Sequence, residues 1–414
     1  MSKLALLGGR PVTKDLLDGA KFYTRRDLER KYLLDAYDKG PWDDWPGTDS
    51  HAAKFCKEWA AFNNAPFCAL LTNGTHTIQV ALETLGIGPG DEVIVPGLTW
   101  QATASAVCDV NAVPILVDID PETLCIDPAR AEAAVTRRTR AIIPVHLYHR
   151  MADMDRIMQV ARKHKLHVIE DCAHTHGSRW DDKGAGAIGD FGSFSFQRSK
   201  LVTSGEGGAL LMQTEEHYWK VVSQRGCGRE FKPGFKVHSG NYRITSFQAA
   251  ILRGQLAAFR KNAPIIDRNG KALDRAVAAA PGVKPLRRSP HLKRECGYCF
   301  VFLYDKDAYE GLPAETFRKA LSAELSWGFG TTYTPLPHSE VYYPHTKPRH
   351  HLSREYVEAI TPSRWDLPVC ESVWRDRAVL CGWGIYACPP RRAHLLTDAI
   401  VKIYENREEL LSAK

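Results

Sequence analysis

The sequence lacks long apolar runs, since none approaches the ~18 residues that a membrane-spanning helix needs. The apolar stretch at 4–7 is too short for the apolar core of a secretion signal. The 11 cysteines also lack the paired spacing of a disulfide-stapled secreted domain. These absences predict a cytoplasmic protein with reduced thiols and no contact with a membrane.

A strong charge of one sign is also missing. The formal net charge is only +7 over 414 residues, and the basic pairs at 137–138, 287–288 and 391–392 are scattered without interleaved aromatic residues. This pattern argues against nucleic-acid binding. The one Cys-x-x-Cys pair, Cys296 and Cys299, has no second pair or histidine partners, so no metal site is predicted.

What the sequence does have is an alternation of short apolar runs with helical patterns such as 155–164. This alternation predicts an α/β fold with a mainly parallel central sheet flanked by helices. The 44% hydrophobic and 25% charged residues are enough for a large core plus a second domain. The predicted strands are 68–72, 92–96, 113–117, 140–145 and 167–171.

The spacing changes after Asp190, where the runs 192–197 and 207–213 predict neighbouring strands without a crossover helix. A long amphipathic helix is predicted over 246–259 and should lead into a smaller α/β domain. We therefore expect an N-terminal segment and large cofactor-binding domain over 1–260 and a small C-terminal domain over 261–414.

Two residues suggest cofactor chemistry. Lys200 follows an apolar strand and precedes a glycine-rich turn at 205–208, where a partly desolvated amine could form a Schiff base with an aldehyde. Asp171 ends the apolar run 166–171, at the sheet edge where α/β proteins bind ligands, and could pair with the ring nitrogen of pyridoxal phosphate. The alternatives are a solvated lysine and a helix N-cap aspartate.

The segment 68–85 predicts a strand, a tight turn and a helix, and its turn could hold a phosphate group. Gly74 allows close approach of the backbone, Thr75 adds a hydroxyl, and the first helical N–H groups attract anions. An ordinary capped helix start is the alternative.

Together and in this order, these segments resemble the DegT/DnrJ/EryC1/StrS sugar aminotransferase family of fold-type I pyridoxal phosphate enzymes. The resemblance extends from about Gly40 to the end of the chain. Its motifs are Thr72-Asn73-Gly74-Thr75, 88–96, Glu170-Asp171-Cys172-Ala173-His174, Phe194-Ser195-Phe196-Gln197 with Lys200, Gly205-Glu206-Gly207-Gly208 and Gly240-Asn241-Tyr242-Arg243.

Within the family, the segments 95–100, 144–155, 343–346 and 367–371 are most similar to L-glutamine:2-deoxy-scyllo-inosose and scyllo-inosose aminotransferases. That resemblance implies transfer of the amino group of L-glutamine to a keto-cyclitol in aminoglycoside antibiotic biosynthesis. The two half-reactions would share one pocket, so ping-pong kinetics are expected.

The resemblance also implies roles for individual residues in a homodimer with shared active sites. Trp100 and His174 could instead be ordinary core residues. The implied roles are Schiff-base formation and proton transfer for Lys200, a pyridinium contact for Asp171, ring stacking for Trp100, a contact near the phenolic oxygen for His174, and phosphate binding for Gly74, Thr75, Ser195 and Asn241 of the neighbouring subunit.

Other functions stay open at this point. Arg198 replaces a neutral residue of the cyclitol enzymes, so a nucleotide keto-sugar aminotransferase or an aminohydroxybenzoate-type synthase is an alternative. Lys200 argues against the sugar 3-dehydratases of the family, which commonly carry histidine there. A non-catalytic regulatory protein that binds pyridoxal phosphate is disfavoured, because such a protein needs neither Lys200 nor Asp171.

Overall fold

The strands of the computed structural model, which describes residues 3–412, form three sheets. They are β1 (Phe67–Leu71), β2 (Glu92–Pro96), β3 (Val113–Val117), β4 (Thr139–Ile142), β5 (His167–Asp171), β6 (Arg179–Trp180), β7 (Lys183–Gly184), β8 (Phe191–Ser195), β9 (Gly208–Met212), β10 (Val283–Pro285), β11 (Leu292–Arg294), β12 (Cys299–Tyr304) and β13 (Ala378–Gly382).

The helices lie between and after these strands. They are α1 (Arg26–Lys39), α2 (His51–Asn63), α3 (Gly74–Thr84), α4 (Ala102–Asp109), α5 (Pro128–Ala133), α6 (Met154–His164), α7 (Glu215–Arg225), α8 (Ser246–Ala278), α9 (Ala314–Leu325), α10 (Arg354–Ile360), α11 (Pro368–Ser372), α12 (His394–Glu405) and α13 (Arg407–Ser412).

The largest sheet has seven strands in the order β1-β9-β8-β5-β4-β2-β3. Strands β3, β2, β4, β5 and β8 run parallel to one another, whereas β9 is antiparallel to both β1 and β8. Strands β2 and β9 are buried along their whole length, as expected for a sheet covered on both faces. This sheet confirms the α/β fold with a mainly parallel sheet predicted from the sequence.

Two smaller antiparallel sheets complete the fold. The order is β10-β12-β13 in one and β11-β6-β7 in the other. All six residues of β12 are buried, and α9 packs against β13. The absence of a crossover helix between β8 and β9 was also predicted, and the two strands pair directly.

Helix α8 is much longer than the predicted helix at 246–259. Pro264 lies inside it, and a proline normally interrupts a helix because it lacks an N–H group. The helix continues because its apolar face stays buried beyond the proline, at Ile266, Leu273 and Val277. The predicted domain division after residue 260 falls within α8 and stays a prediction.

Between residues 3 and 412, no helix is both long enough and apolar enough to cross a membrane. The cytoplasmic location stays a prediction.

Candidate active site

A cavity of about 400 Å³ opens at the carboxyl-terminal ends of β2, β5 and β8. Parallel strands end together at one edge of a sheet, so residues distant in sequence meet there. The cavity is lined by Asn73, Gly74, Thr75, Ile78, Thr99, Trp100, Ala102, Val145, Asp171, Ala173, His174, Ser193, Ser195, Gln197, Ser199, Lys200, Glu206, Tyr298 and Tyr333.

Asp171 is the last residue of β5, and its side chain is buried in the cavity wall. The Thr103 hydroxyl donates a hydrogen bond to Oδ2 over 2.8 Å, and the backbone N–H of Ala173 donates to Oδ1 over 3.2 Å. Burial raises the pKa of Asp171 above its ordinary value, while the Thr103 hydrogen bond opposes this shift. The carboxyl group is therefore held by neutral donors at the edge of an open space.

Lys200 lies in the loop between β8 and β9 and lines the same cavity as Asp171. Its ammonium group lies over the Tyr298 ring, 4.3 Å from the ring centroid. Burial lowers the pKa of Lys200 to about 8, with the charge of Asp171 opposing the shift. The amine is thus partly neutral near pH 8, as a nucleophile or proton acceptor requires.

The start of α3 forms another wall of the cavity. The Asn73 side chain caps this helix by accepting the N–H of His76 over 2.9 Å, whereas Gly74 and Thr75 occupy the first helical positions. Among the described residues, no side chain accepts the N–H groups of Gly74 and Thr75. A Cβ atom on Gly74 would lie only 2.9 Å from the Ser195 Cβ, so only glycine fits here without displacement.

His174 is buried between two aromatic residues, and its hydrogen bonds define its tautomer. The backbone N–H of Tyr148 donates to Nδ1 over 3.2 Å, so Nδ1 carries no proton and Nε2 carries one. Nε2 then donates to the Tyr333 hydroxyl over 3.2 Å, which leaves the Tyr333 hydrogen available to another acceptor. Burial lowers the pKa of His174 well below its ordinary value, so the ring is neutral.

Of the predicted site residues, Gly74, Thr75, Trp100, Asp171, His174, Ser195 and Lys200 all line this cavity, and Asn241 does not. Trp100 is 48% exposed, which differs from the buried core tryptophan considered as its alternative. Asn241 is exposed near α7, where its side chain accepts the N–H of Arg243. Arg198 is exposed and does not line the cavity either.

The sequence analysis did not identify Thr103, Tyr298 and Tyr333 as site residues. Thr103 contacts Asp171 directly, and the two tyrosines close the cavity from the C-terminal part of the chain. Thr103 lies just after Trp100, so the start of α4 was a possible signal. The sequence around Tyr298 and Tyr333 held no such signal, because their proximity to Lys200 depends on the packing of distant segments.

A buried trio of metal-ligating residue types, His146, Glu170 and Cys172, lies beside the site. The Glu170 carboxylate accepts hydrogen bonds from His146 Nε2 over 2.9 Å and from the N–H groups of Gly186, Ile188 and Gly189 over 2.7–3.0 Å. These contacts bind the loop that precedes β8 to strand β5. The sequence expectation of no metal site stays a prediction.

Comparison with known proteins identifies the family. Residues 27–379 match the model of the DegT/DnrJ/EryC1/StrS aminotransferase family. The L-glutamine:2-deoxy-scyllo-inosose aminotransferase of Streptoalloteichus tenebrarius is 37% identical over 88% of both chains. The L-glutamine:scyllo-inosose aminotransferase of Streptomyces griseus is 35% identical over 99% of both chains.

The solved structure of a 3-amino-5-hydroxybenzoic acid synthase is also similar. It superposes with a TM-score of 0.78 at 30% identity and covers 92% of this chain and 98% of its own. The chain belongs to the DegT/DnrJ/EryC1/StrS aminotransferase family.

Proposed function

We propose that the protein is a pyridoxal phosphate-dependent aminotransferase that transfers the amino group of L-glutamine to a keto-cyclitol. The acceptor we favour is 2-deoxy-scyllo-inosose or scyllo-inosose, the compounds that appear in the names of the two relatives. One observation carries the proposal: Lys200 and Asp171 face a single cavity whose third wall offers the free N–H groups of α3.

The cavity residues fit a phosphate group. The N–H groups of Gly74 and Thr75 lie at the positive end of the α3 dipole, and the Thr75 and Ser195 side chains add hydroxyl groups. The missing side chain of Gly74 keeps this space open beside Ser195. These residues would hold the phosphate of pyridoxal phosphate.

The opposite part of the cavity fits a flat, basic ring. No cationic group of residues 3–412 hydrogen-bonds to the buried Asp171 carboxylate, so a protonated ring nitrogen would compensate its charge. Trp100 offers an aromatic face, and neutral His174 lies on the same wall. When bound, pyridoxal phosphate supplies an aldehyde and an electron-accepting ring.

Lys200 would perform the proton transfers. Its pKa of about 8 allows Nζ to take up a proton and return it without a large energy cost near neutral pH. Asp171 would remain charged and hold the ring in place. Tyr333 offers a hydroxyl hydrogen to a substrate or cofactor oxygen, because His174 already donates to the Tyr333 oxygen.

The charges of the cavity favour an uncharged acceptor. Among the described residues that line the cavity, Lys200 is the one basic side chain that carries a charge, and none of them is an arginine. A nucleotide-linked sugar would bring a diphosphate, which proteins usually bind with arginine. Arg198 does not supply that charge within this chain, because it is exposed outside the lining.

We further propose a homodimer in which Asn241 of one subunit completes the phosphate site of the other. The support is that Asn241 is exposed and lies outside its own chain's cavity, on a segment anchored to β1 by the hydrogen bond from Thr72 N–H to the Tyr242 carbonyl. Mixed dimers of Lys200→Ala and Asn241→Asp subunits should regain turnover. Recovery of none after subunit exchange would contradict shared sites.

The donor half-reaction tests the proposed chemistry. Purified protein with bound cofactor should change its near-ultraviolet and visible absorbance when L-glutamine is added alone, with release of one equivalent of the 2-oxo acid per site. L-glutamate should react more slowly. No absorbance change with either donor would contradict the aminotransferase and favour the regulatory alternative.

The acceptor is tested by comparing kcat/KM for both inososes with that for nucleotide-linked keto-sugars, with L-glutamine as donor. We expect either inosose to be preferred, and Arg198→Ala should leave that preference unchanged. A higher kcat/KM for a nucleotide-linked sugar would overturn the keto-cyclitol and keep the aminotransferase. An aromatic product formed without glutamine would favour the synthase alternative.

A further inference from the structure

The segment 296–299 carries the Cys-x-x-Cys pair of the sequence, and the structure gives it another use. Both cysteines are buried, whereas the residue before Cys299, Tyr298, lines the cavity. Gly297 is packed so closely that a Cβ there would lie 2.2 Å from the Cβ of His149. The backbone is therefore fixed at the point where Tyr298 enters the site.

The backbone of Tyr298 is tied to two other parts of the site. Its N–H donates to the carbonyl of Tyr148 over 2.8 Å and to the carbonyl of His174 over 3.0 Å. The Tyr298 ring also stacks with the His174 ring, with centroids 4.4 Å apart and planes inclined by 24°. The position of the Tyr298 ring is therefore fixed by contacts with residues outside the loop that carries Lys200.

The hydroxyl of Tyr298 reaches that loop. Gln197 Oε1 accepts both the N–H and the O–H of Ser199, over 2.8 and 2.6 Å. Because the single hydroxyl hydrogen of Ser199 is used in this way, the 2.9 Å contact between Ser199 and Tyr298 has the tyrosine O–H as donor. Tyr298 therefore binds the residue immediately before Lys200.

The face of the same ring meets the Lys200 side chain. Nζ lies 4.3 Å from the ring centroid, well within the distance at which an aromatic ring attracts a cation. Such attraction strengthens with burial, and both side chains are partly buried. The hydroxyl and the face of one side chain thus contact two consecutive residues.

We propose that Tyr298 is a positioning residue for Lys200, whose ring face holds the charged amine while its hydroxyl fixes the preceding turn. This inference rests on the proposed function, in which Lys200 must be free and correctly placed during part of each cycle. Without the ring, the ammonium would lose this cation–π contact. Lys200 would then become both more mobile and less basic.

Other groups also act on the charge of Lys200 and stay constant in the test. Asp171 and the thiol of Cys299 favour its protonated form, and burial opposes it. The charge of Lys200 in turn disfavours protonation of His174 and His176. The ionisable side chains around Lys200 are Asp171, His174, His176, Glu206, Tyr298, Cys299 and Tyr333.

The test measures the basicity of Lys200 in the full-length protein after removal of the cofactor. Competitive acylation over a pH series, followed by peptide mass spectrometry, gives the midpoint at which Lys200 becomes reactive. The informative pair is Tyr298→Phe against the same position carrying trifluorinated phenylalanine, because fluorine weakens the attraction for a cation at nearly constant size. We expect the fluorinated ring to lower the midpoint by about half a pH unit, or roughly threefold in proton affinity.

The matched control is the same pair at Tyr304, the last residue of β12, the strand that begins directly after Tyr298. Its hydroxyl donates to the Leu312 carbonyl over 2.8 Å, away from the cavity. Fluorination there should leave the Lys200 midpoint unchanged. Equal midpoints for the two rings at position 298 would overturn the role of the ring face.

The hydroxyl is tested by amide hydrogen exchange over 197–201. Tyr298→Phe should accelerate exchange in this segment relative to wild type, and Tyr304→Phe should not. Unchanged exchange would overturn the role of the hydroxyl. Neither measurement uses the cofactor, so each tests Tyr298 independently of the proposed function. If the proposed function is wrong, the cofactor will not attach to Lys200, but the basicity of Lys200 will still depend on Tyr298.

Discussion

Two buried carboxyl groups, Asp171 and Glu295, each belong to a cluster of polar side chains. Both have a raised pKa, but the groups around them differ. Burial raises the pKa of Asp171 in the cavity wall, and it also raises the pKa of Glu295, beside α8, to about 7. Glu295 is paired with the buried Arg150 and with Arg288, whose Nη1 lies 3.0 Å away. Within the described chain, the Asp171 carboxylate accepts hydrogen bonds from neutral donors alone, and it faces a cavity of about 400 Å³.

The difference shows that a shifted pKa marks burial and does not by itself mark a functional site. The Glu295 cluster carries its own cations, so we expect it to stabilise the arrangement of the chain. On the proposed function, the ring nitrogen of the bound cofactor would compensate the charge of Asp171. Exchanging or removing individual groups in each cluster should therefore affect either stability or turnover.

The largest effect is expected from Lys200→Ala. Loss of a positioned proton acceptor costs about 10²–10⁴ in turnover, and this residue has a second role in cofactor attachment. The rate of the glutamine half-reaction measures the loss. The thermal unfolding midpoint should change little, and added small primary amines should restore part of the rate. Near-wild-type turnover would remove Lys200 from the chemistry.

Glu295→Ala tests the other cluster. The substitution leaves the Arg150 guanidinium buried beside Asp274 alone, and breaking a buried ion pair in this way costs about 3–5 kcal/mol in the free energy of unfolding. Denaturant titration measures this cost. The folded fraction should retain kcat within about threefold. A stable variant with a collapsed kcat would show that the two clusters are not separate in function.

Thr103→Val should have a smaller effect, and it sharpens the comparison at Asp171. A hydrogen bond to a charged group contributes about 1.5–3 kcal/mol, so kcat/KM should fall by roughly 10- to 150-fold. Thr103→Ser keeps the hydroxyl and serves as the control. If both variants behave like wild type, the Thr103 hydroxyl does not orient the Asp171 carboxylate.

The smallest effect concerns acid pH and His149, which is fully buried next to Arg150. Burial lowers the pKa of His149 well below its ordinary value, and neither ring nitrogen has a partner among the described residues. The unfolded chain therefore binds a proton near pH 6.5 that the folded chain does not bind, and stability falls as pH decreases below that value.

His149→Phe removes the group that binds this proton in the unfolded chain. The slope of unfolding free energy against pH between 6 and 5 should become shallower by about 1.2 kcal/mol per pH unit. Denaturant titrations at several pH values measure the slope. An unchanged slope would mean that the folded protein accommodates a charged His149.

The sequence predicted the sheet and the residues that meet at its edge for a physical reason, while the roles of those residues stay predictions. Asp171 ends a strand, while Gly74 and Lys200 follow strands, so their meeting at one sheet edge depends only on topology. The partners Thr103, Tyr298 and Tyr333 could not be predicted in the same way. Their contacts depend on side-chain packing between segments more than 60 residues apart, such as Thr103 with Asp171, 68 residues away.

Helix α8 shows a different limit of sequence analysis. The helix predicted from the local amphipathic pattern ended at residue 259, whereas the observed helix continues through Pro264, because residues beyond the proline are buried. Asn241 shows a third limit, because its predicted role depends on a second subunit.

The most direct test of the central claim is borohydride reduction of the cofactor-bound protein, followed by peptide mapping. The account predicts one stable cofactor tag per chain, located on Lys200, and loss of that tag when L-glutamine is added before the reduction. A tag on another lysine, or no tag at all, would contradict the assignment of Lys200 and with it the proposed aminotransferase mechanism.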